Sequence, residues 1–265
     1  MLTTILCDLD GTLVDSRRDI ARAFRGALHG LIDPPFPDEA AIACHIGKPL
    51  THMIQELGYT LSPGHLETFL VTYRRLYATG NARHTRPYPG VVTTLQGLAS
   101  MRLGIVTTKE PSQATHVLQQ LALLPFFHHV QGSSPGMPLK PAPDPVLAAL
   151  KALHAEPHRT LMIGDTPADI LAGRAAGVQT CAVTYGFGSR EELEACAPDH
   201  VIGSFAEVSV LVHSSPERPD NRLTDTPQTE GESSQNIPRR PRVHDRSRTP
   251  DANGRKRAHD PPLAG

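Results

Sequence analysis

The sequence has no run of about 18 apolar residues, the length a membrane-crossing helix needs. Its four cysteines, Cys7, Cys44, Cys181 and Cys196, lie far apart with no Cys-x-x-Cys pair. That spacing argues against zinc sites and disulfide frameworks and fits a reducing, cytoplasmic setting. Its fourteen histidines show no His-Glu-x-x-His or other ligand spacing. His128 and His129, at an expected strand start, read as structural. A net charge of −1 gives no global attraction to nucleic acid or to a membrane surface. The opening residues, MLTTILCDLDG, lack a basic leader followed by a long apolar run, so they are expected to form a strand and not a secretion signal. No internal repeat is visible.

Aromatic residues are missing altogether from His213 to Gly265, and the large aliphatics there are only Leu223, Ile237, Val243 and Leu263. Burial of so little apolar surface cannot offset roughly 1–2 kcal/mol per residue of backbone ordering, so residues 213–265 are expected to be a disordered tail. The tail holds ten Lys and Arg against eight Asp and Glu. Its basic portion, Arg239 to Arg257, could touch polyanions weakly; a solvated tail without a partner is the simpler reading.

What is present is an alternation. Leu2 to Cys7, Leu103 to Val106, Leu161 to Ile163 and Thr180 to Val183 are almost wholly apolar, and a helical pattern follows each. Continuous apolar strands suit a sheet covered on both faces, which predicts a parallel α/β core. One stretch departs from this. From Ser16 to about Arg83 the patterns are helical only. The first carries Ile20, Phe24, Ala27, Leu28 and Leu31 on one face, with Ser16 as its N-cap. The second carries Leu50, Met53, Ile54 and Leu57 and stops near Gly58. The third starts at Ser62-Pro63 and carries Leu66, Phe69, Leu70, Tyr73, Leu76 and Tyr77. Residues 1–15 and 84–212 are thus expected to form the core, and 16–83 an inserted helical subdomain.

The run Cys7-Asp8-Leu9-Asp10-Gly11-Thr12 carries the most chemistry. An apolar strand ends in two aspartates spaced i, i+2, where parallel sheets bind ligands. Close like charges need a cation or a shared proton, and Gly11 permits a tight turn with N–H groups near an anion. Asp8-Leu9-Asp10-Gly11-Thr12 resembles the first motif of the haloacid dehalogenase-like (HAD) hydrolase superfamily. Three further segments resemble that superfamily's other motifs, in order. Thr107 closes Ile105-Val106-Thr107-Thr108-Lys109; Lys140 opens Lys140-Pro141-Ala142-Pro143-Asp144-Pro145; Asp165 and Asp169 lie in Ile163-Gly164-Asp165-Thr166-Pro167-Ala168-Asp169. The resemblance covers about residues 1–211 and implies a Rossmann-like core with a C1-type helical cap.

It also implies roles. Asp8 would be the nucleophile and Asp10 the general acid and base. Mg²⁺ would be held by the side chains of Asp8 and Asp165 and the backbone carbonyl of Asp10, with Asp169 acting through water or from behind. Thr107 and Lys140 would bind phosphate, with Gly11 and Thr108 contributing; Thr108 departs from the Asn common at its position. Lys48, in Ile46-Gly47-Lys48-Pro49-Leu50 of the cap, is a candidate contact for an anionic substrate group, with a solvated surface lysine as the simpler reading. The implied activity is hydrolysis of a small phosphorylated metabolite, as in the phosphoglycolate phosphatase-like group. Inorganic pyrophosphate, a β-phosphoglucomutase-type exchange and a non-catalytic binding role are the alternatives.

Overall fold

Strands form where the apolar runs lie. The computed structural model describes residues 1–80 and 82–214. In chain order β1 (Thr4–Cys7) and β2 (Val14–Asp15) come first. Four helices follow: α1 (Arg17–Leu28), α2 (Glu39–Ala43), α3 (Leu50–Glu56) and α4 (Pro63–Thr79). The chain then runs through β3 (Arg86–Pro87), α5 (Val91–Gly97), β4 (Arg102–Val106), α6 (Pro111–Gln120) and β5 (His129–Gln131). It continues as α7 (Asp144–Ala152), β6 (Thr160–Gly164), α8 (Pro167–Ala175), β7 (Gln179–Val183), α9 (Arg190–Ala195), β8 (His200–Ile202) and α10 (Val208–Ser214). The tail expected over 213–265 lies, beyond the end of α10, outside the described residues.

Six strands make one sheet in the order β5-β4-β1-β6-β7-β8, every neighbouring pair parallel. Successive residues of β1 serve opposite faces, as the period of a strand requires. Ile5 and Cys7 join the large apolar cluster that also holds Phe24, Ile54 and Phe69. Leu6 joins a second cluster with Val146, Leu150 and Met162. The sheet is therefore covered on both sides, the Rossmann-like arrangement expected. β5 and β8 are three-residue edge strands of mixed composition, too short to show as apolar runs.

All described elements between β2 and β3 are helical. Phe24 of α1 meets Phe69 of α4 edge-on, with centroids 5.0 Å apart. Phe69, Tyr73 and Tyr77 then stack at i, i+4 spacing along α4, at 6.3 and 5.9 Å. Ser62 caps α4, its side chain accepting from the His65 N–H at 3.3 Å. Ser16 precedes α1 but makes no capping bond. Leu31 falls beyond the end of α1, and α2 is a short helix capped by Asp38 that has no long periodic pattern. Among the described residues no helix is long and apolar enough to cross a membrane.

Candidate active site

Three carboxylates meet where the central strands end. Asp8 follows β1, Asp165 follows β6 and Asp169 lies in the first turn of α8; all are buried. One oxygen from each lies within 4.8 Å of the others. Like charges this close in a dry site repel, so fixed partners must hold them. Lys140 is one. Its Nζ donates to Asp8 Oδ1 at 2.9 Å, to Asp169 Oδ1 at 2.5 Å and to the Val106 carbonyl at 2.8 Å. Burial pulls this ammonium toward neutrality, but Asp169 and Asp8 outweigh it and keep the group charged.

The three carboxylates differ in what they have left to offer. Asp169 Oδ2 accepts from the Thr166 N–H at 3.0 Å and its Oγ1 at 2.7 Å, while Oδ1 takes Lys140. It is occupied with holding its neighbours. Asp165 accepts from Thr12 Oγ1 at 2.9 Å and from the Phe187 N–H at 2.8 Å. Burial, then Asp8 and Asp169, still push its carboxyl well above the usual range. Asp8 is pushed to about 7 by burial, against Lys140, with Asp169 and Asp10 adding. Among the described residues no donor reaches its Oδ2. A buried all-oxygen set of this charge suits a hard divalent cation.

Gly11 makes the room. Its φ is +90°, and a Cβ there would fall inside the Asp165 carboxylate. The phosphate donor expected of it is already spent, because its N–H bonds the Val14 carbonyl at 2.9 Å. The Asp10 carboxylate stands outside the acidic trio. Its Oδ1 accepts from Ser16 Oγ at 2.5 Å, and Oδ2 lies 3.0 Å from Lys109 Nζ. Ser16 thus spends its hydroxyl on Asp10 and not on the start of α1. Thr107 is buried beside Val106; its Oγ1 accepts from the Lys109 N–H at 3.3 Å, which leaves its own proton for another acceptor.

A cleft of about 260 Å³ has Asp10, Thr108 and Lys109 on the core side and Ile46, Leu50, Met53 and Tyr73 on the cap side. Lys48 also lines it. That lysine is bonded to Glu56 at 2.5 Å, so at present its charge is met within the cap. Motif spacing marked the trio, Asp10, Thr107 and Lys140. It did not single out Ser16, Thr12, Thr166 or Lys109 as partners; the one signal was their position beside the motif aspartates or at a strand end.

A family model described as haloacid dehalogenase-like hydrolase matches residues 5–183. A phosphoglycolate phosphatase from Aquifex aeolicus is 33% identical over 189 residues, covering 70% of this chain and 86% of that protein. A pyrophosphatase PpaX from Halalkalibacterium halodurans is 32% identical over 213 residues, covering 80% and 97%. Among solved structures, a haloacid dehalogenase-like hydrolase from Streptococcus pneumoniae superimposes with a TM-score of 0.71 at 32% identity, covering 80% of this chain and 98% of that one.

Proposed function

Because the chain belongs to the haloacid dehalogenase-like hydrolase family, and within it to the phosphatases, we propose that it hydrolyses a small phosphomonoester of the phosphoglycolate type through an aspartyl-phosphate on Asp8. The observation that carries this is the state of Asp8. One oxygen is anchored by buried Lys140, and the other has no partner among the described residues.

Attack by a carboxylate on a phosphoryl group is opposed by charge, so positive charge and donors must be in place beforehand. Lys140 supplies one fixed cation at the nucleophile. Asp8, Asp165 and the Asp10 carbonyl would hold Mg²⁺, with Asp169 behind them; when bound, that ion supplies charge neutralisation at the phosphoryl oxygens. The Thr107 hydroxyl and nearby N–H groups would bind those oxygens, with Thr108 at the cleft. Asp8 Oδ2 forms the bond to phosphorus as the leaving oxygen departs, and Asp10 hands that oxygen a proton. Asp10 then takes a proton from the water that cleaves the aspartyl-phosphate, which regenerates Asp8 and releases phosphate. The cap helices close the cleft over this reaction and select the leaving group. Lys48 would meet an anionic substrate group only by leaving Glu56.

A cytoplasmic setting belongs to the same reading, since all four cysteines are free. Pyrophosphate is the second substrate reading, and the similarity to a pyrophosphatase favours it. Phosphate release should be measured over small phosphometabolites and pyrophosphate, with Mg²⁺ and with a chelator. Asp8→Asn should lower turnover by at least about a thousandfold while the protein stays folded. Undiminished turnover in that variant would overturn the assignment, and interconversion of sugar phosphates without net phosphate release would favour a mutase.

A further inference from the structure

One buried cation is not used by the reaction just described. Lys109 follows β4 in the core, yet its side chain is only 7% exposed. Its Nζ lies 3.0 Å from Asp10 Oδ2 and 4.1 Å from the centroid of the Tyr77 ring on cap helix α4. The backbone beneath it is pinned. Its N–H donates to Thr107 Oγ1 at 3.3 Å, and its carbonyl accepts from the Ser133 N–H at 2.9 Å. A side chain on Gly132 would collide with that carbonyl and with Pro111, so the loop has one place to sit.

A lysine taken out of water keeps its charge only where partners replace hydration. Here they are a carboxylate from the core and an aromatic face from the cap. The Tyr77 hydroxyl is buried without a hydrogen-bond partner among the described residues, so what this side chain offers Lys109 is its face. On the opposite side Ser16 holds the other Asp10 oxygen. The Asp10 carboxyl is therefore gripped at both oxygens and cannot turn without losing one of the two.

We propose that Lys109 is a positioning residue for Asp10, and that Tyr77 makes this positioning depend on the cap being seated. The inference rests on the reading in which Asp10 exchanges a proton with the leaving oxygen. A misplaced Asp10 hurts most when that oxygen needs its proton. Poor leaving groups, such as alkyl phosphates, should therefore suffer more than p-nitrophenyl phosphate, whose leaving group departs with little help.

The test is kcat on both substrate types for wild type, Lys109→Met, Lys109→Arg and Tyr77→Leu, with melting curves to verify folding. Lys109→Met should lose roughly 10- to 100-fold on an alkyl phosphate and only about threefold on p-nitrophenyl phosphate. Lys109→Arg should recover most of the difference, and Tyr77→Leu should shift the ratio in the same direction as Lys109→Met. Equal losses on both substrates, or a rise in KM with kcat unchanged, would overturn the proposal, the latter by making Lys109 a substrate anchor. Should Lys109→Met not fold, the ratio in Lys109→Arg and Tyr77→Leu decides: an unchanged ratio in Tyr77→Leu removes the cap from the account. Absence of phosphate release by wild type from either substrate is a different failure, that of the phosphatase reading itself.

Discussion

Gly11 sits at the narrowest point of the site. Its positive φ costs a residue with a side chain about 1–3 kcal/mol, and any Cβ would occupy the space of the Asp165 carboxylate. Gly11→Ala should therefore displace Asp165 and raise the Mg²⁺ concentration needed for half-maximal phosphate release by at least about tenfold; an unchanged metal requirement would show that Asp165 is not a ligand. The sequence made Asp8, Asp165 and Lys140 legible because each sits at the end of an apolar strand or in a proline-framed turn. Ser16 and Lys109 were not legible as partners of Asp10. A serine before a helix reads as a cap, and a lysine after a strand reads as surface, until the fold brings a carboxylate against each.

The helices of the cap are tied to the core by an element-level latch. Asp19, in the first turn of α1, is buried, and its Oδ2 accepts from the N–H groups of His84 and Thr85 and from Thr85 Oγ1, all at 2.8 Å. These bonds fasten the start of the helical excursion to the chain returning from it. Asp19→Ala would leave the buried Thr85 hydroxyl without its acceptor, while the Thr85 N–H keeps the Ala82 carbonyl at 3.2 Å and the His84 N–H can turn to water, so it should cost about 1–3 kcal/mol in chemical denaturation. A loss under about 0.5 kcal/mol would mean that water replaces the carboxylate. At this scale the long amphipathic helices α1 and α4 were readable from their spacing. The five-residue α2 and the edge strands β5 and β8 were not, because elements so short owe their form to neighbours and not to their own periodicity.

For the whole molecule the acidic trio would link metal binding to stability. Folding raises the Asp8 carboxyl from 3.8 to about 7, chiefly by burial, and raises Asp165 in the same direction. A raised carboxyl favours the protonated folded form, so its contribution is present below pH 4 and is lost as pH rises through about 7. Without metal the protein should melt at a lower temperature at pH 8 than at pH 5. Mg²⁺ held as proposed would bind only the charged, folded trio, so its addition should raise the melting temperature more at pH 8. Melting curves with chelator and with Mg²⁺ at both pH values check this; equal Mg²⁺ shifts would exclude the trio as the site.

The two shortest strands have a larger consequence than their size. In β2 and β3, Val14 pairs with Pro87 and Asp15 with Arg86, antiparallel, so the chain leaves the sheet and comes back to it at one spot. The helices between them hang from a two-residue clip like a pendant from a clasp. Such an arrangement is modular: the pendant can be exchanged for one of another shape, or shortened to a turn, without rerouting a single strand of the sheet. A new pendant would still have to bring counterparts of Ser16 and Tyr77, because the acid Asp10 and its lysine are held from that side too.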